Sequence, residues 1–149
     1  MLSPRPNARD ARAVTVLVVD DNAVDREGVR RAFGKLKIAN PIIEAVDGID
    51  ALEKLSGSNG NQPVPRPYLI LLDINMPRLS GVDFLRQLRA DVMLQDSVVF
   101  VLTTSKNDED RMASYDFNVA GYIIKSDVGA GFLRVVELLE HYWKLVELP

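Results

Sequence analysis

Cysteine is absent from this chain of 149 residues, histidine and tryptophan occur once each, and no apolar run reaches the length of a membrane span. The first absence excludes a disulfide scaffold, a thiolate metal site and a cysteine nucleophile together. No stretch approaches the roughly 18 apolar residues that a spanning helix needs, so no membrane segment is expected. A basic excess is also missing: the net charge is −3, which gives no electrostatic footprint for nucleic acid. Residues 1–13 contain prolines and arginines but no apolar h-region, and read as a disordered tail rather than a signal peptide. What remains is 47% apolar and 26% charged, enough to fill one core. A cytoplasmic domain over residues 14–149 is expected.

The organising stretch is Tyr68-Leu-Ile-Leu-Leu-Asp-Ile-Asn-Met-Pro77. Its apolar run has no polar alternation, which suits a strand buried on both faces under helices. Pro77 ends it, leaving Asp73 at the carboxyl end. Val14 to Val19 reads the same way and ends in Asp20-Asp21-Asn22; either Asp21 or Asn22 can cap the next helix. In that helix Val29, Ala32, Phe33 and Leu36 form a stripe, and Gly28 reads as a close-packing position. A short strand over Ile42–Val46 precedes a helix with Gly48, Ala51, Leu52 and Leu55 on one face. Residues 56–67 form a long loop, read as an inert excursion. Beyond Gly81 a third helix carries Val82, Leu85, Leu88 and Val92. Ser97 to Leu102 is a fourth strand, and Asn107 or Asp108 caps a polar helix running to about Phe117. Gly121 to Ile124 is the last strand, ending at Lys125, and a final helix starts near Gly131.

Five strands alternating with five helices predict a doubly wound α/β fold with a parallel sheet. The flavodoxin-like order 2-1-3-4-5 fits, with its switch point between strands 1 and 3. Asp20, Asp21, Asp73, Thr103 and Lys125 then meet at one carboxyl edge. Clustered carboxylates repel, and a hard divalent cation relieves that; Mg2+ suits oxygen ligands and keeps waters. Asp21 and Asp73 are expected as direct ligands and Asp20 through a water. The set suits phosphoryl transfer, with Asp73 as a carboxylate nucleophile, Lys125 neutralising charge and Thr103 donating a hydroxyl.

Val18-Val-Asp-Asp-Asn22, Leu71-Leu-Asp-Ile-Asn-Met-Pro77, Leu102-Thr-Thr104 and Tyr122-Ile-Ile-Lys125 together resemble the motif set of the receiver domain of bacterial two-component response regulators. The resemblance implies that Asp73 accepts a phosphoryl group from a histidine kinase and that Asp20 and Asp21 form the acidic pocket. It further implies that the Asn75 backbone carbonyl is a metal ligand, Thr103 the switch hydroxyl and Tyr122 the switching aromatic. Slow autodephosphorylation is expected, not sustained turnover. Receivers usually carry proline after the lysine, in a cis bond; here Ser126 follows, and a non-proline cis bond costs roughly 2.5–4 kcal/mol, so a trans bond is expected. No output domain is expected after the receiver, so output is by contact or further phosphotransfer.

The final helix carries a stripe of Phe132, Val135, Val136, Leu139, Trp143 and Val146, widened by Leu138, Tyr142 and Leu145. The excess predicts a homodimer through the fourth helix, fifth strand and fifth helix. His141 on this helix reads as a solvated residue. The Tyr142-Trp143 ending, the Leu102-Thr-Thr-Ser105 run and the long loop resemble stand-alone regulators that partner bacterial phytochrome kinases. Three rivals fit less well. A haloacid-dehalogenase-type phosphatase needs an acid where Asn75 stands. An FMN carrier would meet an anionic loop. A pseudo-receiver is expected to lack one of Asp21, Asp73 or Lys125.

Overall fold

The computed structural model describes residues 14–127, except 36, 75, 77 and 78, together with Arg134. Five strands form one parallel sheet: β1 (Thr15–Val19), β2 (Ile42–Ala45), β3 (Tyr68–Asp73), β4 (Val98–Thr103) and β5 (Gly121–Ile124). Their order is β2-β1-β3-β4-β5, as expected. Among the described residues there are four α-helices: α1 (Ala23–Lys35), α2 (Gly48–Ser56), α3 (Gly81–Ala90) and α4 (Lys106–Ala113). The fifth helix expected from Gly131, with its stripe and His141, lies outside the described residues, as does the expected tail over 1–13.

The continuous apolar runs become strands because both of their faces are covered. Successive side chains alternate across a strand. Leu17, Val19, Ile70, Leu72, Val99 and Val101 therefore face one layer, which Ala51, Leu55, Phe84, Leu85, Leu88 and Met112 complete. Val16, Val18, Leu69, Leu71, Phe100 and Leu102 face the other, where Val29 and Phe33 of α1 pack. Helices thus lie on both faces of the sheet.

Register brings the functional ends together. Val19 pairs with Leu72, so Asp20 and Asp73 follow side by side. Asp73 pairs with Leu102, and Thr103 pairs with Ile124, the residue before Lys125. The helix starts are fixed by side-chain caps, each accepting an otherwise unpaired N–H. Asn22 Oδ1 accepts from Val24 at 2.8 Å, Asp47 from Asp50 at 2.8 Å and Ser80 from Asp83 at 3.2 Å.

Several local expectations are corrected. Ser105, not Asn107 or Asp108, caps α4, accepting from the Asp108 N–H, and the helix stops at Ala113. The β-region backbone at Ser105 lets its hydroxyl reach that N–H. Val92 lies beyond α3 and is exposed, whereas Phe84 is fully buried and belongs to the stripe. The 56–67 loop is pinned to the core: Val64 is buried, its N–H donates to the Lys54 carbonyl, and Arg66 Nη2 donates to the Met93 carbonyl at 2.7 Å. Lys125–Asp127 form a short 3₁₀ turn, and the Lys125–Ser126 bond is trans, as expected; among the described residues the cis peptide bond is Arg66–Pro67.

Gly28 was expected to allow close packing, yet a Cβ there would meet nothing within 4 Å. It is an exposed interior helix position where glycine only adds unfolded-state freedom. Gly28→Ala is therefore expected to stabilise the chain by roughly 1 kcal/mol in urea unfolding.

Candidate functional site

The site begins where four strands end, β1, β3, β4 and β5. Asp20 and Asp73 are buried although both are acids, while Asp21 beside them is exposed. One carboxylate oxygen from each lies within 4.8 Å of the others. Asp20 is held twice: its Oδ1 accepts from the Asn22 N–H at 2.9 Å, and its carbonyl accepts from Arg26 Nη1 at 2.7 Å. Arg26 is itself braced, its Nε reaching Glu44 Oε1 at 3.0 Å, while Arg30 Nε reaches Glu44 Oε2 at 2.6 Å. The bond from Arg30 leads the causes that hold the Glu44 carboxyl below its ordinary pKa, with burial opposing and Arg26 assisting. The β1 end is thereby tied to β2 and α1.

Lys125 enters from the end of β5. Its Nζ lies 3.1 Å from Asp20 Oδ2, 3.4 Å from Asp73 Oδ1 and 2.9 Å from Asp25 Oδ2. Burial works against its charge, but bonds to Asp25 and Asp20 and the charge of Asp73 outweigh it and hold its pKa above lysine's ordinary value. The ammonium is thus a fixed positive charge beside Asp20 and Asp73. One cation does not balance the carboxylates around it, so the pocket remains a sink for more positive charge.

Thr103 completes the edge. Its side chain is buried, and its Oγ1 is the buried side-chain polar atom without a hydrogen-bond partner among the described residues. A buried hydroxyl left unpaired costs about 1–3 kcal/mol, so an acceptor brought to this edge would be favoured there. Thr104, next along, is exposed and donates to Asp108 Oδ2 at 3.1 Å, across the start of α4. Tyr122 pairs in register with Val101, is half-buried, and packs against the first core layer. Burial, and then the charge of Glu109 on α4, push its phenol pKa up. Tyr122 therefore sits between the core and α4.

The donor set fits Mg2+. Three hard carboxylate oxygens converge, and the exposed Asp21 leaves a solvent side where the ion can keep waters. Asn75, expected to add its carbonyl, lies outside the described residues. Two contributors escaped sequence reasoning. Asp25 and Arg26 occupy the first turn of α1, where an acid and a base look like ordinary helix-surface charges. The available signal was their position directly after the Asp20-Asp21-Asn22 cap, which places them at the same sheet edge.

The family model for the response regulator receiver domain matches residues 16–130. Response regulator Rcp1 of Synechocystis sp. is 33% identical over 135 residues, covering 90% of this chain and 92% of that protein. The solved bacteriophytochrome response regulator AtBRR has a TM-score of 0.76 at 28% identity, covering 83% of this chain and 90% of its own. The Mn(2+)-bound form of Rcp1 has a TM-score of 0.66 at 32% identity, covering 87% of this chain and 94% of its own.

This chain belongs to the response regulator receiver domain family. It is a phosphoacceptor signalling protein of the two-component type rather than a turnover enzyme. Such domains are phosphorylated on an aspartate, work with histidine kinases and bind Mg2+ or Mn2+ at an acidic pocket.

Proposed function

We propose that Asp73 is the phosphoacceptor and that the chain is a stand-alone regulator served by a phytochrome-type histidine kinase. The observation that carries the site assignment is the convergence of Asp73, Asp20 and Lys125 beside the unpartnered Thr103 hydroxyl. An Asp73 carboxylate oxygen attacks phosphorus in line; the O–P bond forms as the P–N bond to the donor imidazole breaks, and the electron pair leaves with that nitrogen. Asp21 and Asp73, with the Asn75 carbonyl and Asp20 through a water, would hold Mg2+. When bound, that ion neutralises charge on the transferring group. Lys125 faces the same oxygens, and Thr103 donates to one of them. With Asn75 where a proton-shuttling acid would stand, autodephosphorylation is slow.

Phosphorylation adds nearly two negative charges beside Thr103 and Lys125. Thr103 moving to the phosphoryl group frees space next to β4, and Tyr122 turns inward. The face of α4, β5 and the fifth helix expected from the sequence shifts between two packings. The apolar stripe from Phe132 to Val146 supports homodimerisation through that face, and the net charge of −3 supports a protein rather than nucleic-acid target. Rcp1 and AtBRR are matched over 92% and 90% of their own lengths. Those relatives, with the phytochrome response regulator RcpA at 30% identity, support the choice of kinase. The donor is a cytoplasmic, ATP-charged kinase.

A phytochrome-type kinase charged with labelled ATP should pass its label to the wild-type chain within minutes and pass none to Asp73→Asn. Light scattering on the same samples should give twice the monomer mass. Label that stays on the kinase removes the proposed donor, and a monomer mass in both phosphorylation states removes the dimer.

A further inference from the structure

Lys125 makes its shortest contact outside the acidic pocket. Its Nζ is 2.9 Å from Asp25 Oδ2, closer than Asp20 at 3.1 Å or Asp73 at 3.4 Å. Asp25 is not among the carboxylates that gather within 4.8 Å of one another, so it has no place in the metal set. Its backbone is firmly held nonetheless. The Asp25 N–H donates to the capping Asn22 at 3.2 Å, and the next residue, Arg26, is bonded to the Asp20 carbonyl.

An ammonium carries three N–H donors, and here three carboxylates face them. A phosphoryl group on Asp73 takes that carboxylate's place and carries its oxygens beyond it, so the ammonium must shift to meet them and draw away from one of the other two carboxylates. The Asp20 side chain is 1% exposed and cannot exchange the ammonium for water cheaply. The Asp25 side chain is 41% exposed, so water can replace Lys125 there at small cost.

We propose that Asp25 is a positioning residue that latches Lys125 in the unphosphorylated chain, drawing it off the metal-binding acids and yielding it to the phosphoryl group. This rests on the assignment of Asp73 as acceptor. The latch has two opposed consequences. In the resting chain it keeps the ammonium from settling fully onto Asp20 and Asp73, whose charge Mg2+ requires. At the phosphorylated site it competes for the same ammonium and adds an anion nearby. Without Asp25, Mg2+ alone binds more weakly, while a phosphoryl mimic at saturating Mg2+ binds more tightly.

Calorimetric titration of the full chain tests this with Mg2+ alone and then with beryllofluoride at saturating Mg2+. Asp25→Asn and Asp25→Ala, checked as folded by circular dichroism, should each raise the Mg2+ Kd and lower the beryllofluoride Kd. Changes of about two- to fivefold are expected, the size of one partly solvated ion pair. Asp25→Glu, which keeps the charge, should return both constants to within about twofold of wild type. A displaced α1 would weaken both ligands, so two losses of the same sign overturn the latch, as do two unchanged constants. A wild-type chain that binds beryllofluoride independently of Asp73 overturns the acceptor assignment itself, a result separable from any behaviour of Asp25.

Discussion

Lys125→Ala should lose about two orders of magnitude in the rate of phosphorylation by acetyl phosphate, and its stability should become strongly dependent on Mg2+. The first effect follows from removing a preorganised positive charge aimed at the transferring group, for which about 100- to 1,000-fold losses are typical. The second follows from the pocket's charge balance. The ammonium contacts Asp20, Asp25 and Asp73 at once, and the Asp20 and Asp73 side chains are almost wholly buried. Removing one partner of a buried ion pair costs roughly 3–5 kcal/mol, and a lysine one-fifth exposed belongs at the lower end. Mg2+ binds only the assembled pocket, so it should recover about 2.7 kcal/mol at a hundredfold excess over its Kd. Urea unfolding of wild type and variant, each with and without Mg2+, separates these terms. A variant as stable as wild type without Mg2+ contradicts the charge balance, and a wild-type phosphorylation rate contradicts the role of Lys125.

The second large effect is expected from a single added methyl group. Gly81 opens α3, and its N–H donates to the Ile74 carbonyl at 3.2 Å. A Cβ there would stand 2.6 Å from the Ile74 Cα and 3.2 Å from the Asp73 carbonyl oxygen. Both neighbours are backbone, so neither can rotate aside. Gly81→Ala must push the chain that follows Asp73 or tilt the start of α3. Overpacking of this kind costs about 1–3 kcal/mol. Displacing a reacting group by about 1 Å can cost about 100-fold in rate. The variant should therefore phosphorylate far more slowly than its loss of stability accounts for, measured by urea unfolding beside acetyl phosphate kinetics. A folded Gly81→Ala chain with the wild-type rate would show that the Asp73–Gly81 segment has slack to give. Gly28→Ala is the matched contrast, since the same methyl group meets open space.

These two glycines show where sequence reasoning stops. Both stand in helical patterns, and local spacing cannot tell which one another segment approaches. The strands were legible because buried parallel strands need continuous apolar runs, and each functional residue terminates such a run. Asp20, Asp73, Thr103 and Lys125 could therefore be placed on one edge, and the register brings their strand ends together. Asp25 was illegible for the opposite reason. An acid in a first helical turn already has a sufficient explanation in the helix dipole. Its contact with Lys125, 100 positions away, depends on the curvature of side chains around the sheet edge. Phe84 was passed over because the stripe through Leu85 and Leu88 was already satisfied without it. The sequence pointed to Asn107 or Asp108 rather than to the actual cap, Ser105, because all three residue types cap well and only the backbone angles choose between them.

The chemistry assigned to Asp73 meets its most direct test in intact mass spectrometry after incubation with acetyl phosphate and Mg2+. One phosphoryl mass should appear in the wild-type chain, disappear when Mg2+ is chelated, and never form on Asp73→Asn. A phosphoryl mass on Asp73→Asn at the wild-type rate would place the acceptor elsewhere and contradict the assignment.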